Sequence, residues 1–218
     1  RVLPEVTISE LTPRKRRFFL KYLARFLLLF ESVKAKGSFL DNKRVIVTAA
    51  PHQSGKDEYL MILMILALDI DVCYLSAKWT MRRIPIPFIK PKDIDNQGIP
   101  WPLGWLQEIV FRKFGAIPVD RKGNSGQYDS VVQELLKRDS FLLIITPEGR
   151  FDATRFRSSF LYLAKELEAE VMPVQIDYEH DTLQFLDSLN LDGFEDEIIQ
   201  RLRFCFDGVK GRKSRFKA

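Results

Sequence analysis

An α/β fold, with a mostly parallel central sheet flanked by helices and a basic amphipathic helical arm on its N-terminal side, is predicted by three observations. Short apolar runs without polar alternation recur, as at residues 43–50 (KRVIVTAA) and 141–146 (FLLIIT), and such runs read as strands buried on both faces. Helical patterns of about 10–15 residues separate them, the spacing of βαβ units. The 218 residues, 46% hydrophobic and 29% charged, supply one sizeable core and too little bias for a disordered or collagen-like chain.

The arm comes first. Over residues 12–36, Phe18, Phe19, Tyr22, Leu23, Phe26, Leu27, Leu29 and Phe30 recur at helical spacing, while Arg14, Arg17, Lys21 and Arg25 fall on another face. The longest unbroken apolar stretch there, 26–30, is far short of the ~20 residues that cross a bilayer. Aromatic rings and leucines opposite arginines suit a helix lying in a membrane interface. The same pattern also suits a helix that packs its apolar stripe on the core and leaves its basic face in water.

Residues 43–50 form a buried strand that Pro51 ends, since proline lacks an N–H and pushes its predecessor to an extended conformation. Residues 59–68 (YLMILMILAL), apolar on all sides and behind a helix-start signal, predict a core helix too short to span a bilayer. A strand at 72–76, helices at 105–114 and 127–138, a strand at 141–146, a helix at 157–168 and a strand at 171–176 complete the alternation. Pro173 is expected at the first position of its strand or on a sheet edge. The stretch 83–104 gathers Pro85, Pro87, Pro91, Pro100 and Pro102 with Trp101, and so long a proline-dense loop is either a lid or a stiff surface excursion.

Composition excludes several chemistries. Cys73 and Cys205 are the only cysteines, which provides neither a disulfide framework nor a four-cysteine zinc site and fits a reducing compartment. His52 and His180 alone rule out a three-histidine metal centre, so no metal is expected. The net charge of +5 is concentrated at Arg14, Lys15, Arg16, Arg17, Lys21 and Arg25 and again at Lys210, Arg212, Lys213, Arg215 and Lys217. Both clusters should seek anionic surfaces. No recognised DNA or RNA motif accompanies them, and no nucleic-acid partner is expected.

His52-Gln53-Ser54-Gly55-Lys56-Asp57 falls at a strand-to-helix turn, where ligands meet strand ends in open α/β sheets. With His52 in the turn and Asp57 in the first helical turn the two side chains can meet, and an aspartate that orients an imidazole leaves the other ring nitrogen to accept a proton. The alternative is a capping box, Ser54-x-x-Asp57, beside a loop histidine. Gly115-Ala116-Ile117-Pro118-Val119-Asp120-Arg121 delivers a guanidinium, the planar fork suited to phosphate, at the end of a short extended segment; it also reads as a solvated turn. Thr146-Pro147-Glu148-Gly149-Arg150 follows a strand and brings a carboxylate and another guanidinium to the same edge. Val171-Met172-Pro173-Val174 opens the next strand.

In this order the four segments resemble the glycerolipid acyltransferase family, which includes 1-acyl-glycerol-3-phosphate and glycerol-3-phosphate acyltransferases. The resemblance runs from about residue 44 to 178. It implies that His52 is the base and Asp57 its orienting partner, that Arg121 binds the acceptor's phosphate, and that Glu148, Gly149 and Arg150 shape the acceptor site. Lys78 is similar to a lysine often found between the first two motifs. Three departures stand out: Arg150 occupies the place of the family's threonine, Ser159 that of a common glycine, and 83–104 is longer than in compact members.

The resemblance further implies an acyl thioester donor, acyl-CoA or acyl-ACP, a lysophospholipid or glycerol-phosphate acceptor, and no cofactor besides the donor. Residues 1–40 then form an N-terminal amphipathic membrane-associating helical segment and 41–218 the acyltransferase domain, with a Pro-rich insertion at 83–104 and a basic tail at 208–218. A peripheral or monotopic position at the cytoplasmic face of an anionic membrane is expected. No Gly-x-Ser-x-Gly elbow is present, which disfavours a serine hydrolase. A membrane-bound scaffold or carrier without turnover, keeping the fold and the lipid affinity, is the alternative of a different class, and other lysophospholipids or a glycolipid are alternative acceptors.

Overall fold

A computed structural model of the chain describes residues 5–8, 18–31, 33–39, 43–52, 55–67, 72–77, 81–84, 99–100, 102–119, 128–148 and 155–211. In chain order the elements are β1 (Glu5–Ile8), α1 (Phe18–Leu28), β2 (Lys34–Phe39), β3 (Arg44–Ala50), α2 (Gly55–Ala67), β4 (Val72–Ala77), β5 (Arg83–Ile84) and β6 (Ile99–Pro100). They continue with α3 (Gly104–Lys113), β7 (Ala116–Val119), α4 (Asp129–Leu135), β8 (Phe141–Ile145), α5 (Ser159–Leu167), β9 (Glu170–Asp177), β10 (Thr182–Phe185) and α6 (Glu195–Phe204).

The unalternating apolar runs occupy the middle of the sheet, as burial on both faces requires. Eight strands lie in the order β1-β2-β10-β9-β3-β8-β4-β7, and only the β10–β9 pair is antiparallel. Strand β3 is buried throughout except at Arg44, and β8 at every position. The two pair from Val45↔Leu142 to Thr48↔Ile145, which brings their C-terminal ends to one edge. Alternate side chains serve opposite faces: Val45, Val47 and Ala49 join the cluster built on α2, whereas Ile46 joins that of α4, α5 and Leu202 of α6.

Right-handed crossovers assign the helices to faces. The steps β3-α2-β4 and β4-α3-β7 advance in the same direction along the sheet and place α2 and α3 on one face. The returns β7-α4-β8 and β8-α5-β9 place α4 and α5 on the other. Phe114, immediately after α3, packs on the α2 cluster, and α1 contributes Ala24 to it. Helix α2 is the core helix expected from its all-round apolarity: Leu60, Met61, Leu63, Met64 and Ile65 are each at most 2% exposed. Each such side chain contributes roughly 1.5–3 kcal/mol on burial.

Several expectations are corrected. The helix foreseen over 12–36 ends at Leu28, and Lys34–Phe39 is instead strand β2, paired in parallel with β10 through Lys34↔Thr182, Ala35↔Leu183 and Lys36↔Gln184. The alternation that carries it is Lys34 and Lys36 exposed around a buried Ala35. Pro173 is neither first in its strand nor on an edge strand; it is the fourth residue of β9. The β9–β10 ladder ends at Phe185↔Val174, so Pro173 sits one step beyond it and interrupts no pairing there. Pro118, by contrast, lies in the edge strand β7. Helix α6 and strand β10 were not foreseen. The helix α6 has acids in its first turn, Arg201 and Arg203 in its last, and Ile198 and Leu202 buried at an i, i+4 spacing, all consistent with the peptide dipole and one docked face.

Candidate active site

Three neighbouring strands, β9, β3 and β8, converge on one constellation at their C-terminal edge. Strand β3 ends at Ala50, the chain turns at Pro51, and His52 points into the protein with 5% exposure. Helix α2 begins at Gly55, so Asp57 lies in its first turn; its carboxylate is 1% exposed. Nδ1 of His52 is 3.6 Å from Oδ2 of Asp57. That is longer than a hydrogen bond, and catalytic contacts of this kind are often long before a substrate enters.

Asp57 is held from the far side. The Tyr178 hydroxyl, one residue past the end of β9, donates to Asp57 Oδ1 at 2.6 Å within the buried interior. One carboxylate oxygen of Asp57 thus accepts from Tyr178 and the other faces the His52 imidazole. Ser54, the other half of the capping box, lies outside the described residues. Tyr178 is fixed in turn through its backbone: its N–H donates to the Lys210 carbonyl at 3.0 Å, and nearby Gln175 donates to the Cys205 carbonyl at 2.7 Å. The segment after α6 thus buttresses the end of β9.

Glu148 follows β8 and is 9% exposed. Its Oε2 accepts the backbone N–H of His52 at 2.6 Å, a charge-assisted bond that fixes the main chain of the histidine. The carboxylate of the third motif thus also holds the main chain of the first, a contact that its sequence neighbourhood did not reveal.

Of the predicted site residues the structure brings together His52, Asp57 and Glu148. Lys78, Arg121, Gly149 and Arg150 lie outside the described residues, as do Arg14 to Arg17, residues 85–98 of the Pro-rich stretch and residues 212–218 of the basic tail. Strands β4 and β7 end side by side at Ala77↔Val119, just before Lys78 and Arg121 in sequence. Gly115, the first residue of the second motif, has a structural reason to be glycine. It turns the chain from α3 into β7 at φ +94°, and a Cβ there would lie 1.9 Å from the Val72 carbonyl oxygen.

Sequence reasoning did not find Tyr178. The hydroxyl reaches Asp57 across 121 positions of chain, and a tyrosine closing a buried strand carries no local signal of that bond.

The Acyltransferase family model matches residues 102–177, from the turn before α3 to the last residue of β9. The match includes Glu148, begins after His52 and Asp57, and stops one residue before Tyr178. It supports acyl transfer as the general activity. A search of the curated proteins finds no match to this chain.

Proposed function

We propose that the protein transfers a fatty acyl group from an acyl thioester, acyl-CoA or acyl-ACP, to the hydroxyl of a lysophospholipid or glycerol-phosphate acceptor, with 1-acylglycerol-3-phosphate foremost. The observation that carries this reading is the buried His52–Asp57 pair at the C-terminal edge of the sheet, latched by Tyr178 and Glu148.

In this reading Nε2 of His52 accepts the proton of the acceptor hydroxyl as its oxygen attacks the thioester carbonyl carbon. The tetrahedral intermediate collapses with cleavage of the C–S bond, the thiolate takes the proton from the imidazolium, and a new ester C–O bond remains. Asp57 stabilises the imidazolium and keeps Nδ1 turned inward. Arg121 binds the acceptor's phosphate and Lys78 assists, while Gly149 and Arg150 shape the same acceptor site. These roles come from the family resemblance and supply positioning, which is worth a large share of such a barrier.

The reaction is placed at the cytoplasmic face of a membrane, with α1 in contact with anionic lipid. The attachment is peripheral or monotopic, and no helix among the described residues is long and apolar enough to cross a membrane. What supports contact through α1 is the side it shows to solvent: Phe19, Tyr22 and Phe26, with Leu29 and Phe30 in the turn just after it, are all exposed, Phe19 and Phe30 each 74%. Its inward side is Ala24 with Leu27 and Leu28, and Arg25 donates to the Ala67 carbonyl at the end of α2.

The test is transfer from labelled acyl-CoA to lysophosphatidate in liposomes, with acyl-ACP and glycerol 3-phosphate as parallel arms. His52→Ala is expected to lower kcat by about 10²–10⁴-fold. Transfer by the parent that survives unchanged in His52→Ala removes the histidine from the chemistry; no transfer with any donor and acceptor, by a protein that still binds vesicles, leaves the scaffold instead.

A further inference from the structure

Helix α3 is amphipathic in the inverted sense. Its less exposed side carries two polar residues beside Phe111: Gln107 donates to the Arg83 carbonyl at 3.2 Å, and Glu108 pairs with Arg82 and with Arg112, the latter at 2.9 Å. The hydrogen bond from Arg82, followed by that from Arg112, holds the Glu108 carboxyl below its usual range. Its outer side carries Trp105, Leu106, Ile109 and Val110, with Leu103 just before the helix, each between 42% and 57% exposed. Positions i, i+1, i+4 and i+5 form one continuous stripe.

The helix is seated firmly in this orientation. A Cβ on Gly104 would lie 2.5 Å from the Arg82 carbonyl oxygen, so the start of α3 meets the preceding turn backbone to backbone. The outward face is thus a built surface.

Position and charge identify its occupant. Helix α3 lies on the α2 face of the sheet, where Phe114 just after it packs on the cluster that α1 and α2 share, and the rings of α1 also point outward. Elsewhere among the described residues the exposed large apolar side chains are single ones, Tyr59, Leu136, Tyr162, Phe194 and Phe204, of the kind any surface carries. Arg82, Arg112 and Lys113 are exposed at the flank of the stripe, and among the described residues of α3 and of the turn before it Glu108 is the one carboxylate, which leaves that flank cationic. An apolar stripe with a tryptophan, flanked by arginine and lysine, matches the interface of an anionic bilayer.

We infer that α3 is a second membrane-contact element, and that α1 and α3 together seat this whole helix layer on an anionic phospholipid surface. The inference rests on the reading that the protein works at a lipid surface, but vesicle binding is measured without turnover, so failure of acyl transfer and failure of membrane contact register separately.

The experiment uses the full chain and vesicles of phosphatidylcholine and phosphatidylglycerol, about three to one, with bromine-labelled acyl chains, and neutral vesicles as control. In Trp79→Phe/Trp101→Phe, Trp105 is the sole indole; its emission is expected to shift to the blue and to be quenched by the brominated anionic vesicles. Trp105→Glu/Ile109→Glu alters only exposed positions, is checked for an unchanged melting temperature, and is expected to weaken flotation about tenfold or more. Trp105 unquenched on vesicles that the protein does bind, or flotation of the double variant equal to the parent, overturns the inference. So does a lipid-free dimer that the double variant dissolves while no vesicle is bound, which assigns the stripe to a second copy of the chain.

Discussion

On one side of the sheet α5 turns Phe160, Leu163, Ala164 and Leu167 inward and leaves Lys165 and Glu166 in water, whereas on the other α3 ties down Gln107 and Glu108 and shows Trp105 and Ile109 to solvent. Both helices cover the same sheet, and both are amphipathic. The difference is where the apolar side finds its partner: α5 finds it in the core, α1 finds it there for Ala24, Leu27 and Leu28 but not for Phe19, Tyr22 and Phe26, and the stripe of α3 does not find it within the described residues. Amphipathicity read from sequence gives the existence of an apolar face and says nothing of which way it points, because the hydrophobic gain is the same for any water-excluding partner. The side that anchors to polar backbone, as Gln107 does to Arg83 and Arg25 to Ala67, decides the direction.

The comparison breaks most visibly at Phe160. It is wholly buried in the cluster of the α5 side, so Phe160→Ala should cost about 3–5 kcal/mol in denaturant unfolding. Phe26→Ala on α1, where the ring is 55% exposed, should stay within about 0.5 kcal/mol in the same measurement yet weaken vesicle flotation. Equal stability losses for the two would mean that α1 is packed like α5.

A second measurement sharpens the contrast where the two sides meet, at the end of β9. Tyr178→Phe removes the hydroxyl that holds Asp57 but keeps the ring, and should lower kcat about tenfold, near 1.4 kcal/mol, with KM unchanged. Its pH–rate profile should move as well, because an unlatched Asp57 supports the imidazolium less well. A unit change in melting temperature without a change in kcat or profile would reduce Tyr178 to packing.

Arg25→Ala tests the polar anchor of α1. Loss of its bond to the Ala67 carbonyl at 3.1 Å should cost about 0.5–1.5 kcal/mol and loosen α1 on α2, read as faster amide exchange in α1 with α5 unaffected.

The smallest effect belongs to the solvent-exposed pair Lys43–Glu170 at 2.5 Å. The Lys43 hydrogen bond outweighs burial and holds the Glu170 carboxyl below its usual range. A depressed folded-state pKa contributes stability that is present above the unfolded value and is lost as pH falls through the folded one. Glu170→Gln should therefore cost under about 1 kcal/mol at neutral pH and flatten the acid limb of the stability curve.

How much of this was legible beforehand follows from the range of each signal. β3 and β8 announce themselves because six and five consecutive positions want burial on both faces, and α2 because its apolar run leaves no polar side. His52 and Asp57 are close in sequence, so their spacing is itself a geometric statement. β2 was hidden because Lys-Ala-Lys has neither bulk nor branching, and pairing with β1 and β10 makes it a strand. Tyr178 and the hold of Glu148 on His52 were hidden because they exist only once β9, β3 and β8 lie side by side.

The bond from the Tyr178 N–H to the Lys210 carbonyl makes the chain after α6 a mechanical link to the centre. A protease cut or a shortened chain ending before Lys210 releases the main chain of Tyr178, whose hydroxyl holds Asp57, whose carboxylate faces His52. Damage near Lys210 is then expected to loosen the hold on Asp57 without unfolding the core, and an affinity handle attached close to Gly211 is expected to bear on the His52–Asp57 contact through one tyrosine.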